Sequence, residues 1–94
     1  MKNEKNTIFL RISGKVQGVG FRYWTKKLAL KLNLRGTVMN CKNNTVEIYV
    51  TGGTDNIQKF CKKCMDGPEC SFVKNIERKA VDYKEFKSFD IIHK

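Results

Sequence analysis

The residues best suited to chemistry lie in Gly14-Lys15-Val16-Gln17-Gly18-Val19-Gly20-Phe21-Arg22, where three glycines fall within seven positions and an arginine follows. Glycine accepts positive φ without strain and leaves its amide uncovered, so successive N–H groups can converge on one anion. An alternating apolar run precedes the segment and a helix-like run follows it, so the loop sits where a strand feeds a helix N-terminus. Such a junction favours phosphate, because its N–H groups lack partners and the helix dipole is positive there. Arg22 falls in the first turn of that helix. Helical side chains lean toward the N-terminus, so its guanidinium can reach back over the loop. The chemistry implied is a phosphate cradle with an arginine clamp.

Two familiar glycine motifs do not fit. The mononucleotide-binding pattern needs Gly-Lys-Ser/Thr after Gly and four residues, but Val19 stands five positions beyond Gly14. The dinucleotide pattern needs a glycine three residues after Gly20, and that position is Tyr23. A turn whose glycines serve only tight packing is the bland competitor, and Arg22 argues against it.

Positioning such a loop takes a folded domain, and 94 residues allow one modest core, so residues 1–94 read as a single domain. An apolar content of 40% with 11% aromatics suits a globular chain. The net charge of +10 implies attraction to anions, whether nucleic acid, acidic membrane or phosphorylated small molecule, without choosing among them. No signal-like segment opens the chain, and no run approaches the ~20 apolar residues of a membrane helix. A cytoplasmic location is therefore expected, with Cys41, Cys61, Cys64 and Cys70 as reduced thiols.

Thr7 to Ser13 alternates Ile8, Leu10 and Ile12 against Phe9, Arg11 and Ser13, the period of a strand with one buried face. From Phe21 to about Asn33, the residues Phe21, Trp24, Leu28 and Leu32 recur at helical spacing. That stripe makes Trp24 a packing residue rather than a stacking platform for a base. Leu34 to about Lys42 and Asn44 to Thr51 read as two further strands. Asn43-Asn44 between them suits the left-handed conformation of a tight antiparallel hairpin. Thr54 or Asp55 is positioned to cap a second helix carrying Ile57, Phe60, Cys61, Cys64 and Met65 on one face, and Gly67-Pro68 ends it. Ser71 to Val81 is a fourth strand, and Phe86 to Ile92 adds a short last one. The order β-α-β-β-α-β predicts a ferredoxin-like α+β sandwich: an antiparallel sheet of four to five strands with two helices on one face.

Other candidate chemistry is weaker. Cys61-x-x-Cys64 has metal or redox spacing, yet both thiols fall on the apolar stripe of the second helix and read as small buried hydrophobes. His93, the sole histidine, is penultimate and reads as solvated. The carboxylates Glu47, Asp55, Asp66, Glu69, Glu77, Asp82, Glu85 and Asp90 are scattered, so any reaction here must manage without an obvious base.

The segment Gly14 to Arg22 closely resembles the first signature of the acylphosphatase family, and Gly36-Thr37-Val38-Met39-Asn40 resembles the second. The resemblance covers most of the chain. It departs at Thr37, where an aromatic is usual and packing beside the site is expected to loosen, and at Asn44, where the hairpin usually has glycine. Asparagine is the best substitute for glycine in a left-handed position. The resemblance implies an acylphosphate phosphohydrolase that cleaves the carboxyl–phosphate bond to a carboxylate and inorganic phosphate, with no metal or cofactor. It implies that Arg22 and the amides of Lys15, Val16, Gln17, Gly18, Val19 and Gly20 hold the phosphoryl group while Asn40 positions the attacking water. A small acyl phosphate is then the expected partner, with no nucleic acid or membrane involved, and the protein is expected to act as a monomer.

Physical chemistry accommodates these roles. Guanidinium pairs with two phosphate oxygens at once, and an amide side chain can orient water without taking its proton. A carboxylate leaving group, with a conjugate-acid pKa of about 4, departs unprotonated. Two competing readings remain. The same element order occurs in RNA-recognition domains, but their aromatic motifs are missing and the third strand offers only Tyr49. Acylphosphatase-like domains also open certain long, zinc-binding carbamoyltransferases, whereas this chain reads as a free-standing enzyme.

Overall fold

A computed structural model describes residues 4–93. The chain forms β1 (Lys5–Lys15), α1 (Phe21–Lys31), β2 (Arg35–Cys41), β3 (Thr45–Gly53), α2 (Thr54–Cys64), β4 (Phe72–Val81) and β5 (Phe89–Ile92). The strands make one sheet in the order β4-β1-β3-β2-β5. The ferredoxin-like α+β arrangement read from the sequence is the one observed.

Alternation in the strands builds the core. Ile8, Leu10 and Ile12 of β1 lie beside Val46, Ile48 and Val50 of β3 and Val38 of β2, all buried on one face. Phe21, Leu28 and Ala29 of α1 and Ile57, Phe60 and Cys64 of α2 join the same core. Trp24 and Leu32 are only partly buried, with Trp24 resting against Phe21 at 5.5 Å between ring centroids. The hairpin turn matches its residues, since Asn43 (φ 64°) and Asn44 (φ 59°) are both left-handed. Asn33 (φ 60°) ends α1 in the same way, and the Leu34 amide closes back onto the Ala29 carbonyl at 2.8 Å.

Three expectations are corrected. Neither Thr54 nor Asp55 caps α2: Gly53 holds the cap position without a side-chain bond, and the Thr54 hydroxyl donates to the Glu4 carbonyl at 3.1 Å. Tying α2 to the start of β1 uses the hydroxyl that would have capped the helix. Thr37 points away from Asn40, because it alternates with Val38 and Asn40 along β2 and lines the helix-free face with Met39, Glu47 and Tyr49. Its replacement of an aromatic therefore does not loosen packing beside the loop.

The third correction concerns the sheet, which is mixed: β5 runs parallel to β2, while the other three pairings are antiparallel. The connection from β4 to β5 is pinned where Thr7 and Thr51 lie side by side. The Lys84 amide donates to Thr7 Oγ1 at 2.8 Å, and Thr51 Oγ1 donates to the Lys84 carbonyl at 2.7 Å. Crossing at that end of the sheet reverses the chain, so β5 runs opposite to β4 and along β2. Its C-terminal end thereby arrives beside the glycine loop.

Candidate active site

The loop is held from below by its own apolar residues. Val16 and Phe21 are each only 1% exposed, so both ends of the segment are anchored in the core. Gly14 belongs to β1 rather than to the cradle. It sits at a bulge facing β4 with φ 130°, and a Cβ there would collide with the Phe72 carbonyl. Gly18 (φ 74°) and Gly20 (φ 77°) are left-handed, and a Cβ on either would meet open space. Their requirement is conformational: the loop must curl and leave a cleft above its backbone.

Among the described residues, the amides of Gln17, Gly18, Val19 and Gly20 donate to no other protein group. Unpaired N–H groups at the entry to a helix form an anion site. The cleft, about 340 Å³, is lined by Val16, Gly18, Gly20, Phe21, Arg22, Tyr23, Asn40, Ile91 and His93. Arg22 and Asn40, 18 residues apart in the chain, thus share one cavity. Asn40 sits on the helix-side face of β2, and its Oδ1 is buried without a hydrogen-bond partner. Buried polar atoms are nearly always satisfied, so this partnerless acceptor, on a residue that lines the cleft, calls for a donor.

Lys15 ends β1 opposite Phe72 and does not line the cleft. Gln17 does something the sequence does not reveal. Its side-chain amide donates to the carbonyls of Cys41 and Thr45, both at 2.8 Å, lashing the loop to the hairpin that carries Asn40. Gln17→Leu is expected to lower stability by about 1–2 kcal/mol through loss of these bonds. It should also raise KM several-fold, and thermal melts with steady-state kinetics check both.

His93 is corrected as well. Although exposed, it lines the cleft, with Nδ1 3.3 Å from Arg22 Nη1. Only the parallel β5 brings it there, so no sequence spacing could have signalled it. Tyr23, 69% exposed, and Ile91 form the rest of the mouth.

A larger cleft of about 650 Å³ lies between α2 and β4, and the half-buried Cys61 is its only thiol. Burial pushes the Cys61 thiol pKa up, opposed by the nearby Arg78 charge, and burial raises Cys64 much further. Both therefore stay protonated as packing groups. Among the described residues, no three His, Cys, Asp or Glu side chains form a metal-binding group. No described helix is long and apolar enough to cross a membrane.

A ferredoxin-like sheet that ends in an amide cradle, an arginine and an orphaned asparagine oxygen, with no carboxylate among the described residues lining the cleft, defines a small phosphate-handling α+β enzyme. The acylphosphatase family profile matches residues 8–91. An acylphosphatase from Vibrio parahaemolyticus is 41% identical over 81 residues, covering 86% of this chain and 90% of that protein. The structure of an acylphosphatase from Coxiella burnetii superposes with a TM-score of 0.91 at 31% identity, covering 96% of this chain and 94% of that one. Full-length HypF, in a phosphate- and nucleotide-bound form, matches with a TM-score of 0.90 at 32% identity, over 98% of this chain but 12% of HypF. The chain belongs to the acylphosphatase family.

Proposed function

We propose that Arg22 and the amides of Gln17 to Gly20 bind the phosphoryl group of an acyl phosphate, while Asn40 Oδ1 accepts a hydrogen bond from the attacking water. The observation that carries this reading is that Asn40, whose Oδ1 is buried and partnerless, lines the same cleft as Gly18, Gly20 and the Arg22 guanidinium. Attack by water on phosphorus breaks the bond to the acyl oxygen, giving a carboxylate and inorganic phosphate. In a loose phosphoryl-transfer transition state, charge gathers on the peripheral oxygens, where arginine and amides stabilise it. The departing carboxylate needs no acid, and the water's proton passes to the phosphate oxygens. Each step uses groups present in the cleft. The same reading takes the enzyme to be a metal-independent cytoplasmic monomer, the oligomeric state being checked by light scattering.

Purified protein is expected to hydrolyse benzoyl phosphate well above its spontaneous rate, and excess chelator should leave that rate unchanged. Turnover at the spontaneous rate, or a rate abolished by chelator and restored by added metal, would overturn the reading. An RNA-binding role is disfavoured by the helix-free face. There Phe9 is only 8% exposed, and Glu47 and Glu77 hold Arg11 at 3.0 and 3.2 Å, placing carboxylates where a nucleic acid backbone would lie.

A further inference from the structure

We propose that His93 is a positioning residue for Arg22, holding the guanidinium over the phosphate cradle through an unprotonated ring nitrogen. The proposal rests on the reading of Arg22 as the phosphate clamp. His93 is the only histidine in the chain, and β5 delivers it to the cleft with Nδ1 3.3 Å from Arg22 Nη1. Arginine only donates, so this contact is a hydrogen bond in the tautomer that carries its N–H on Nε2 and offers Nδ1 as a neutral acceptor.

That neutrality matters for an anion site. Among the described residues, both ion pairs belong to Arg11, and no carboxylate pairs with Arg22. A carboxylate in the place of His93 would also hold the guanidinium, but it would cancel the charge that phosphate must meet. A neutral acceptor restrains the side chain and leaves its charge available. The guanidinium has five N–H donors, so one spent on His93 leaves enough for a two-pronged grip on phosphate oxygens. A long, solvated arginine otherwise loses rotamer freedom when it binds, and pre-ordering it reduces that loss.

Pre-ordering acts equally on substrate and on phosphate, so it shows in binding constants rather than in turnover. With benzoyl phosphate as substrate and inorganic phosphate as competitive inhibitor, His93→Ala is expected to raise KM and the phosphate inhibition constant together, by about three- to tenfold, the range for one partly solvated hydrogen bond. The kcat value should stay within about twofold, as for uniform binding. His93→Phe retains a ring without an acceptor and should match the alanine variant. His93→Asn places an acceptor at the δ position and should restore both constants to within about twofold, since the acceptor rather than the ring is at issue.

Unchanged constants in His93→Ala would overturn the proposal. So would a Phe variant that behaves as wild type beside an impaired Asn variant, because shape and not hydrogen bonding would then be the requirement. Arg22→Ala, assayed alongside, separates the two readings. If it loses phosphate inhibition while the His93 variants do not differ from wild type, the clamp stands and the positioning role falls. If it keeps wild-type phosphate inhibition, the clamp itself falls and this proposal with it.

Discussion

Replacing Arg22 by alanine is expected to lower kcat/KM for benzoyl phosphate by about 10³-fold or more, the scale on which a transition-state arginine acts in phosphoryl transfer. Inhibition by inorganic phosphate should vanish in the same variant. The reason is local. Among the described residues lining the cleft, Arg22 supplies the one guanidinium and there is no carboxylate or lysine to take over its charge. The loop amides would remain, but backbone dipoles alone face a dianion that carries its own hydration shell into the site. Arg22→Lys is expected to recover little, since an ammonium is a point charge on a flexible stem and cannot grip two oxygens in fixed geometry. Steady-state kinetics with phosphate as inhibitor check both variants. A lysine variant near wild-type rate would show that charge, not geometry, is what position 22 supplies.

Asn40→Ala is expected to show a different signature: kcat falling by about 10²-fold with KM within about threefold of wild type, as when a group acts chiefly in the transition state. Asn40 lies on β2, a strand away from the phosphate loop, and its Oδ1 has no partner within the protein. Removing it costs no internal hydrogen bond at that oxygen, so the fold should tolerate the change and circular dichroism should match wild type. On the proposed reading, what is lost is the acceptor that aligns water with phosphorus, and misalignment of a reacting group is expensive in rate. Single-turnover measurements would separate slower chemistry from slower product release. Near-wild-type kcat would remove Asn40 from the mechanism and leave its buried oxygen to be explained otherwise.

The different signatures follow from placement. On the proposed reading, Arg22 meets the substrate phosphate in ground state and transition state alike, whereas Asn40 addresses a water that matters only as the new bond forms. Gln17 couples them, because its two 2.8 Å bonds hold the loop against the end of β2 that bears Asn40. Loss of that tie spreads its effect over stability and binding, which is why its expected kinetic cost is smaller than that of either reacting group.

Much of this was legible in the residues themselves. Local steric rules make Gly18 and Gly20 the points where a chain turns left-handed, and Phe21 to Leu28 repeat at helical spacing, so a cradle followed by a helix bearing Arg22 needs no long-range information. Asn43-Asn44 likewise marks the hairpin that sets the end of β2. Asn40 came from the family resemblance, and the fold places it among the residues lining the cleft, with its Oδ1 buried and without a partner. Other features depend on which strand lies beside which. Gly14 belongs to the sheet because β4 packs against its backbone, Thr37 turns away from the site because of its place in the alternation of β2, and Gln17 reaches carbonyls 24 and 28 residues away. His93 depends on the most distant decision of all. The β4–β5 connection crosses at the Thr7–Thr51 end, so β5 must run parallel to β2 and release its last residues at the mouth of the cleft. Sequence periodicity reports which side of a strand is buried, but the direction of a strand and its neighbour are set by packing across the whole sheet.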